Sequence, residues 1–379
     1  MRAGGRAFHG KQVFKWIHAR GVTDPLAMTD LPVNVRESLG SLGLSGIAQV
    51  TTVRRALDGT RKLLVSMRDG LTVETVLIPG VGQSPKGELP SPCYTEDADA
   101  SAMPDDDEEE EKTETGKSVV RVTQCISTQV GCAMGCVFCA SGVAGLKRNM
   151  DAGEIIAQVI LGRSMLDSDG AESEQLRNVV LMGMGEPLHH YANTARALRL
   201  LTHPDGIGLS SRRITVSTSG LIPEIARLGE DFGGNIGLAI SLHAADDETR
   251  SRLMPINRKY PLDALMNALR AYPLPRRRRI TIEYTLVAGK NDSPAEARKL
   301  AKLLRGLPVK INLIPMNPIE HSTLGPPDFS GVLAFQQLLV DAGYSCFIRR
   351  RRGDDVSAAC GQLALLGAKP KIKSFLPPK

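Results

Sequence analysis

From residue 118 onward the sequence alternates short β-rich runs with helically patterned stretches, and no other feature narrows the possible folds as far. The runs are VVRVTQCIS, NVVLMGMG, RITVSTSG, IGLAISLHA, ITIEYTLVAG and KINLIPMNP. The helical stretches between them carry start signals. Asp151 stands three residues before Glu154 and just ahead of Ile155, Ile156, Val159 and Ile160, which is the arrangement of a capping box. Ser293, Pro294 and Glu296 supply an N-cap, a proline at the first helical position and an acid at the third. Strand–helix alternation over about six units implies a parallel sheet, because each return crossover has to carry a helix. Six units are too few to close an ordinary eight-stranded barrel. The expected fold class is therefore α/β, a partial (β/α)6 barrel, curved and partly open. Its functional side should be the carboxyl ends of the strands.

The remaining chain divides by composition. Residues 1–45 read as short helices, with Val13, Phe14 and Ile17 at helical spacing and Pro32 opening a second stretch. Residues 47–80 alternate apolar and polar in short runs (KLLVSM, LTVETVLIP), which reads as strands. Residues 1–81 are thus expected to form a small N-terminal helical/β accessory domain. Residues 82–117 break the pattern, and seven consecutive acids run from Asp105 to Glu111. Such a run repels itself and buries no core, so an acidic disordered insert is expected. The barrel core then spans 118–345, with a C-terminal segment over 346–379.

Charge follows the same division. The formal net charge is +6, but residues 84–117 hold twelve acids against three lysines, leaving +15 on the rest (44 Lys/Arg against 29 Asp/Glu). A body this basic suits a polyanionic partner, RNA or DNA, with a merely solvated basic surface as the alternative. The densest basic runs, Arg276–Arg279 and Arg349–Arg352, suit phosphate contacts. No apolar run reaches 18 residues, so no transmembrane helix and no membrane association are expected. The start MRAGGRAFHGK has no apolar core of a signal peptide, and a cytoplasmic protein is expected. Seven cysteines, four of them between 125 and 139, make a poor disulfide framework and a good metal or redox pattern.

Three of those cysteines form C-x3-C-x2-C at Cys132, Cys136 and Cys139, just after the first run of the alternating region. Close thiolates on one loop are soft ligands for an iron–sulfur cluster or zinc. No fourth cysteine is spaced to complete the set, which leaves one iron of a 4Fe–4S cluster open to a substrate. A zinc site borrowing a remote histidine, or buried structural cysteines, are the other readings. The next strand ends carry small or polar residues: Gly185 and Glu186 in GMGEP, Ser217 in STSG, Ser241, Leu242 and His243 in SLH, and Asn317 in IPMNP. Each alone is more often a turn or a cap. Together, in order, they suggest one pocket. Cys125 and Cys360 fall outside the triplet, and for such a pair two buried thiols are the ordinary reading. The polar, small-residue run GDDVSAACGQL around Cys360 does not look like a core strand.

On these segments the chain resembles the radical-SAM adenine methyltransferase family. The matching stretches are KQVFKWIHARGV, VETVLIP, QCISTQVGCAMGCVFCA, LMGMGEPL, STSG, AISLHA, PINRKYPL, INLIPMNP and RRRRGDDVSAACGQL, almost everything except the acidic insert. Phe138 fits too, since the residue before the last cluster cysteine is usually aromatic in the superfamily. Two departures stand out. The insert has no counterpart in typical members, and the helical segment usual before KQVFKWIH is missing, so a shortened N-terminal RNA-binding module is expected.

The resemblance implies a specific chemistry. A 4Fe–4S cluster on Cys132, Cys136 and Cys139 cleaves S-adenosylmethionine (SAM), two SAM are used per turnover, and Gly185, Glu186, Ser217, Ser241, Leu242, His243 and Asn317 line the SAM pocket. Cys360 takes a methyl group from the first SAM. The radical made from the second removes a hydrogen from that methyl, and the carbon then adds to C2 of adenine. Cys125 serves as base and disulfide partner in releasing the product. Glu74 in VETV is assigned a proton-accepting role, although on sequence alone an outward-facing strand residue is the simpler reading. Cys93 reads as a loop thiol and Cys346 as strand packing. The implied substrates are 23S rRNA and tRNA, with a flavodoxin or ferredoxin as electron donor and a monomeric enzyme. The sister branch, which methylates C8, would use the same cysteines and stays open here. So do a glycyl-radical activase, which would not need Cys125 and Cys360, and an iron–sulfur carrier or RNA-binding module, which would not need the pocket.

Overall fold

A computed structural model describes residues 6–41, 46–80, 119–166, 173–319, 322–349 and 351–363. The acidic insert, Cys93 and the stretch after 363 lie outside the described residues. The chain opens with α1 (Ala7–Phe14), a π-helical turn over Lys15–Ala19, and α2 (Val33–Ser41). Strands β1 (Ala48–Arg55), β2 (Arg61–Met67) and β3 (Thr72–Pro79) then form an antiparallel meander, and β3 pairs antiparallel with β4 (Val119–Cys125). The accessory strands therefore extend the main sheet instead of forming a separate layer.

After β4 comes a loop pinned by a two-residue ladder between β5 (Gln129–Val130) and β6 (Arg148–Asn149), with α3 (Ala140–Ala144) between them. Six helix-linked units follow the expected alternation: α4 (Ala152–Arg163), β7 (Ser173–Leu181), α5 (Tyr191–Thr202), β8 (Ile214–Thr218), α6 (Ile222–Phe232), β9 (Gly237–Ser241), α7 (Asp247–Leu253), α8 (Leu262–Ala271), β10 (Ile280–Leu286), α9 (Pro294–Leu303), β11 (Val309–Pro315) and α10 (Phe329–Asp341). A further parallel strand, β12 (Ser345–Ile348), pairs with β11. The proposed boundary between 345 and 346 thus falls inside a strand. SCFI is too short and too mixed to announce itself in the sequence.

Local signals explain the elements. Asp151 Oδ1 accepts the Glu154 amide at 2.8 Å and Glu154 Oε2 accepts the Asp151 amide at 3.0 Å, so the capping box at α4 is complete. Ser293 Oγ accepts the Glu296 amide at the start of α9. Every residue of β10 is buried, as expected of a parallel strand covered on both faces. All ten main strands lie in one sheet, ordered β1-β2-β3-β4-β7-β8-β9-β10-β11-β12.

The sheet curls. Arg349, just past β12, reaches within 3.7 Å of Glu283 on β10 and 4.0 Å of Met182 Sδ just past β7. From there the chain runs across the open side to the β1–β2 hairpin. The Gly353 amide donates to Asp58 at 3.0 Å, the Leu57 amide to Asp355 at 3.2 Å, and Lys62 Nζ to the Ser357 carbonyl at 3.1 Å.

Candidate active site

Every residue singled out for chemistry except Glu74 lies on β4, β8 or β9, or on a loop at the carboxyl end of the parallel strands. Cys125 ends β4, and the three-cysteine loop follows it. Cys132 and Cys136 are buried, and Cys139 is half-buried at the start of α3. The three thiols face one another: burial and the neighbouring thiols push Cys132 up to about 12 and Cys136 well above the usual thiol range. Burial also raises Cys139. Among the described residues no three His, Cys, Asp or Glu side chains converge tightly enough to hold a single ion.

Glu186 is buried and already engaged. Its Oε1 accepts the Leu188 amide at 3.1 Å and its Oε2 the Ser219 amide at 2.7 Å, tying the loop after β7 to the end of β8. Burial raises its pKa despite these bonds. Gly185 has φ +105, and a Cβ there would come within 2.6 Å of Gln129 Cβ, the residue whose Oε1 accepts the Glu186 amide. Gly185→Ala is expected to cost about 2–3 kcal/mol by denaturant unfolding, from the disfavoured φ and the clash. An unchanged midpoint would show that the loop has another conformation open to it.

Ser217 lies half-buried on β8, and Ser241 ends β9. Leu242 and His243 follow, and His243 takes the left-handed backbone at φ +56. Such strain persists only where surroundings hold it. Here the His243 carbonyl accepts Asn291 Nδ2 at 2.7 Å, and Nδ1 accepts the Thr285 amide at 2.9 Å, which places the ring proton on Nε2. Phe138 stacks edge-on against the ring with centroids 4.7 Å apart, joining the cluster loop to β9.

Burial, aided by the Arg250 cation, depresses His243 to about 3. A depressed histidine favours the fold in its neutral form. Its contribution is fully present above the free value of about 6.5 and is lost as pH falls toward 3. Nitrogen-15 NMR should show the Nε2–H tautomer unchanged from pH 8 to 5, and titration near 6 would contradict the assignment.

Asn317 lies against the Cys360 segment. Its Nδ2 donates to the Cys360 carbonyl at 2.9 Å, while its buried Oδ1 has no partner. The Cys360 segment is also fastened to the cluster loop: the Ala140 amide donates to Gly361 O at 2.8 Å and Ser141 Oγ to Leu363 O at 2.6 Å. Cys360 lies near enough to Cys125 and Cys139 to raise both thiols. Burial is the larger cause at Cys125, which stands at about 12 with the Arg349 cation opposing.

Three residues here escape sequence reasoning. Lys62, buried on β2, sits 3.0 Å from Glu74 Oε1 and also holds Ser357, so Glu74 faces inward as half of an ion pair. Arg250 is fully buried behind Cys136 and donates to the carbonyls of Leu242, Ser219 and Ser241 and to Asn257 Oδ1. Arg349 turns in toward Glu283 and Cys125. Two further members of the second basic run are engaged within the fold: Arg351 donates to Met316 O and Arg352 pairs with Asp58. The first, Arg276–Arg279, immediately precedes β10 and so lies at the opposite, amino-end rim; Arg279 bonds Ser345 at the start of β12.

The arrangement fits the implied cofactors. Three neighbouring thiols raised by burial hold their protons until a metal displaces them, and the buried Arg250 guanidinium near Cys136 opposes the negative charge of a thiolate-bound cluster. The unpartnered Asn317 Oδ1 and the backbone approach at Gly185 suit a polar ligand such as SAM.

The comparisons agree with this geometry. Residues 126–304 match the radical SAM superfamily and residues 1–43 the ribosomal RNA large subunit methyltransferase N-terminal domain. Fold and site together define a radical-SAM enzyme. A crystal structure of a radical SAM methyltransferase from Sphaerobacter thermophilus superposes with TM-score 0.79 at 39% identity, covering 94% of this chain and 92% of that one. The dual-specificity RNA methyltransferase RlmN of Sorangium cellulosum is 69% identical over 98% of this chain and 94% of its own length. That of Phenylobacterium zucineum is 43% identical over 93% and 82%. The chain belongs to the RlmN family. Among the described residues no helix is long and apolar enough to cross a membrane.

Proposed function

We propose that the chain methylates C2 of an adenosine in the peptidyl-transferase loop of 23S rRNA and, in tRNA, of the adenosine 3′ of the anticodon, with Cys360 carrying the methyl group. The observation that carries this reading is the placement of Cys360, fastened by Asn317 and α3 between Cys125 and the cluster cysteine Cys139. Adenine C2 lies between two electron-poor ring nitrogens and is not a nucleophile, so a direct polar methyl transfer fails there. The 4Fe–4S cluster and SAM, when bound, supply the methyl group and the one-electron chemistry that avoids that barrier.

The chain's own residues do the rest. Cys360 accepts the methyl as a thiolate and presents it to the base. Cys125 removes the ring proton and pairs with Cys360 to free the product. Glu74 accepts a proton, with Lys62 beside it holding the Cys360 loop. Glu186, Ser217, Ser241, Leu242, His243 and Asn317 shape the SAM pocket around Gly185. The target base must be unstacked to reach Cys360, which favours folded RNA loops over duplex. C8 specificity is not favoured, because the relatives above are dual-specificity RlmN enzymes. The enzyme acts as a monomer in the cytoplasm and takes electrons from a flavodoxin or ferredoxin.

Mass spectrometry of nucleosides from treated tRNA and rRNA fragments is expected to show 2-methyladenosine. A product carrying its methyl at C8 would move the enzyme to the sister branch, and unmodified adenosine throughout would overturn the reading.

A further inference from the structure

The three-cysteine loop has two sides. One holds the Cys360 segment through Ala140 and Ser141. On the other, Cys136 packs with Leu253 and Met254 inside a shell that includes Met134 and Ile256, and the Val137 amide donates to Leu253 O at 3.1 Å. Outside that shell lies an open groove of about 400 Å³, lined by Ala133, Met134, Pro255, Ile256, Arg258 and Lys259. Met134 and Ile256 belong to both, so a single layer of side chains separates the groove from the packing around Cys136. Arg258 and Lys259 are exposed, and neither makes an ion pair among the described residues.

We propose that this groove is the docking face for an acidic, low-potential electron-donor protein that reduces the cluster. The inference rests on the radical-SAM reading of Cys132, Cys136 and Cys139, and it locates the donor that reading requires. In the transfer one electron leaves the donor's cofactor and enters the cluster, and no bond is made or broken. Three features favour this face. The shell keeps water from the metal ligands yet is only one side chain thick. Two cations with no ion pair among the described residues rim a floor of Ala133, Met134, Pro255 and Ile256, which complements an acidic rim around an apolar centre on the partner. The groove wall and the Cys360 segment are also held by different residues of the loop, Val137 bonding Leu253 and Ala140 and Ser141 bonding Gly361 and Leu363. RNA is the other polyanion to consider, but among the described residues the groove lining holds no aromatic side chain to stack a base, and the neighbouring Tyr260 ring lies under Lys259 Nζ at 5.1 Å.

The test uses the cluster-loaded double variant R258E/K259E, with reduced flavodoxin as probe. Stopped-flow absorbance should show cluster reduction slowed about tenfold or more, with the salt dependence of the wild-type rate flattened. Reduction by dithionite and the affinity for a tRNA anticodon stem-loop should not change. An unchanged flavodoxin rate overturns the proposal. Weakened tRNA binding with an unchanged flavodoxin rate also overturns it and gives the groove to RNA. An equal slowing with dithionite overturns it too, placing the effect in the cluster. A wild-type protein that assembles no iron–sulfur chromophore would instead sink the reading on which the proposal rests.

Discussion

Cys125→Ala is expected to leave the enzyme joined covalently to its RNA. Cys125 ends β4, close enough to Cys360 for that neighbour to add to the burial that raises the Cys125 thiol. If the methyl carbon bridges Cys360 and the base, Cys125 is the sulfur outside the cluster triplet that stands beside Cys360 to take it over and free the product. Removing it should stop the reaction after the bridge forms. The product would be a nuclease-sensitive band of raised mass on a denaturing gel, with release slowed about a thousandfold or more. Cys360→Ala should give neither adduct nor methylated adenosine. Normal turnover by Cys125→Ala would show that release follows another route and would remove Cys125 from the mechanism.

The second large effect is on the floor of the same site. Arg250→Met should lower stability by about 3–5 kcal/mol in urea unfolding, the range for breaking up a buried charged network. The guanidinium is fully buried and serves three backbone carbonyls at the ends of β8 and β9 together with Asn257. Methionine fills much of the volume and satisfies none of those acceptors, each of which then bears its own desolvation cost. Arg250→Lys keeps the charge but not the fork, and should fall between the two. Because the carbonyls of Ser219, Ser241 and Leu242 shape the loops assigned to SAM, SAM affinity should fall along with stability. A loss below about 1 kcal/mol for the methionine variant would mean that water replaces the guanidinium without penalty.

Much of this fold could be read in advance because parallel strands covered on both faces announce themselves as apolar runs, as Ile280–Leu286 does. Helix starts were legible where side chain and backbone exchange bonds over three residues, as at Asp151 and Glu154. Cys132, Cys136 and Cys139 were legible because their spacing is local. The misses share the opposite property. β12 is four residues long and gains its identity from pairing with β11. Lys62, Arg250 and Arg349 look like surface charges in sequence, and only the tertiary fold turns them inward to Glu74, to strand-end carbonyls and to Glu283. The side of the sheet on which Arg276–Arg279 falls depends on strand direction, which charge density does not encode. Asn317 was singled out at a strand end, while its bond to the Cys360 carbonyl spans 43 residues that no local pattern links.

The segment that crosses from β12 to the β1–β2 hairpin has a consequence for synthesis. The contacts it makes with Asp58 and Lys62 join residues 295 apart in sequence, and the Leu57–Asp355 contact joins residues 298 apart. During translation the hairpin waits for all the intervening residues before its partner arrives. Cys360, proposed to carry the methyl group, emerges long after the hairpin to which its segment is fastened through Asp58 and Lys62. On the proposed mechanism, a nascent chain that already holds Cys132, Cys136 and Cys139 still lacks Cys360 and the contacts that fasten it, and so has no competent site.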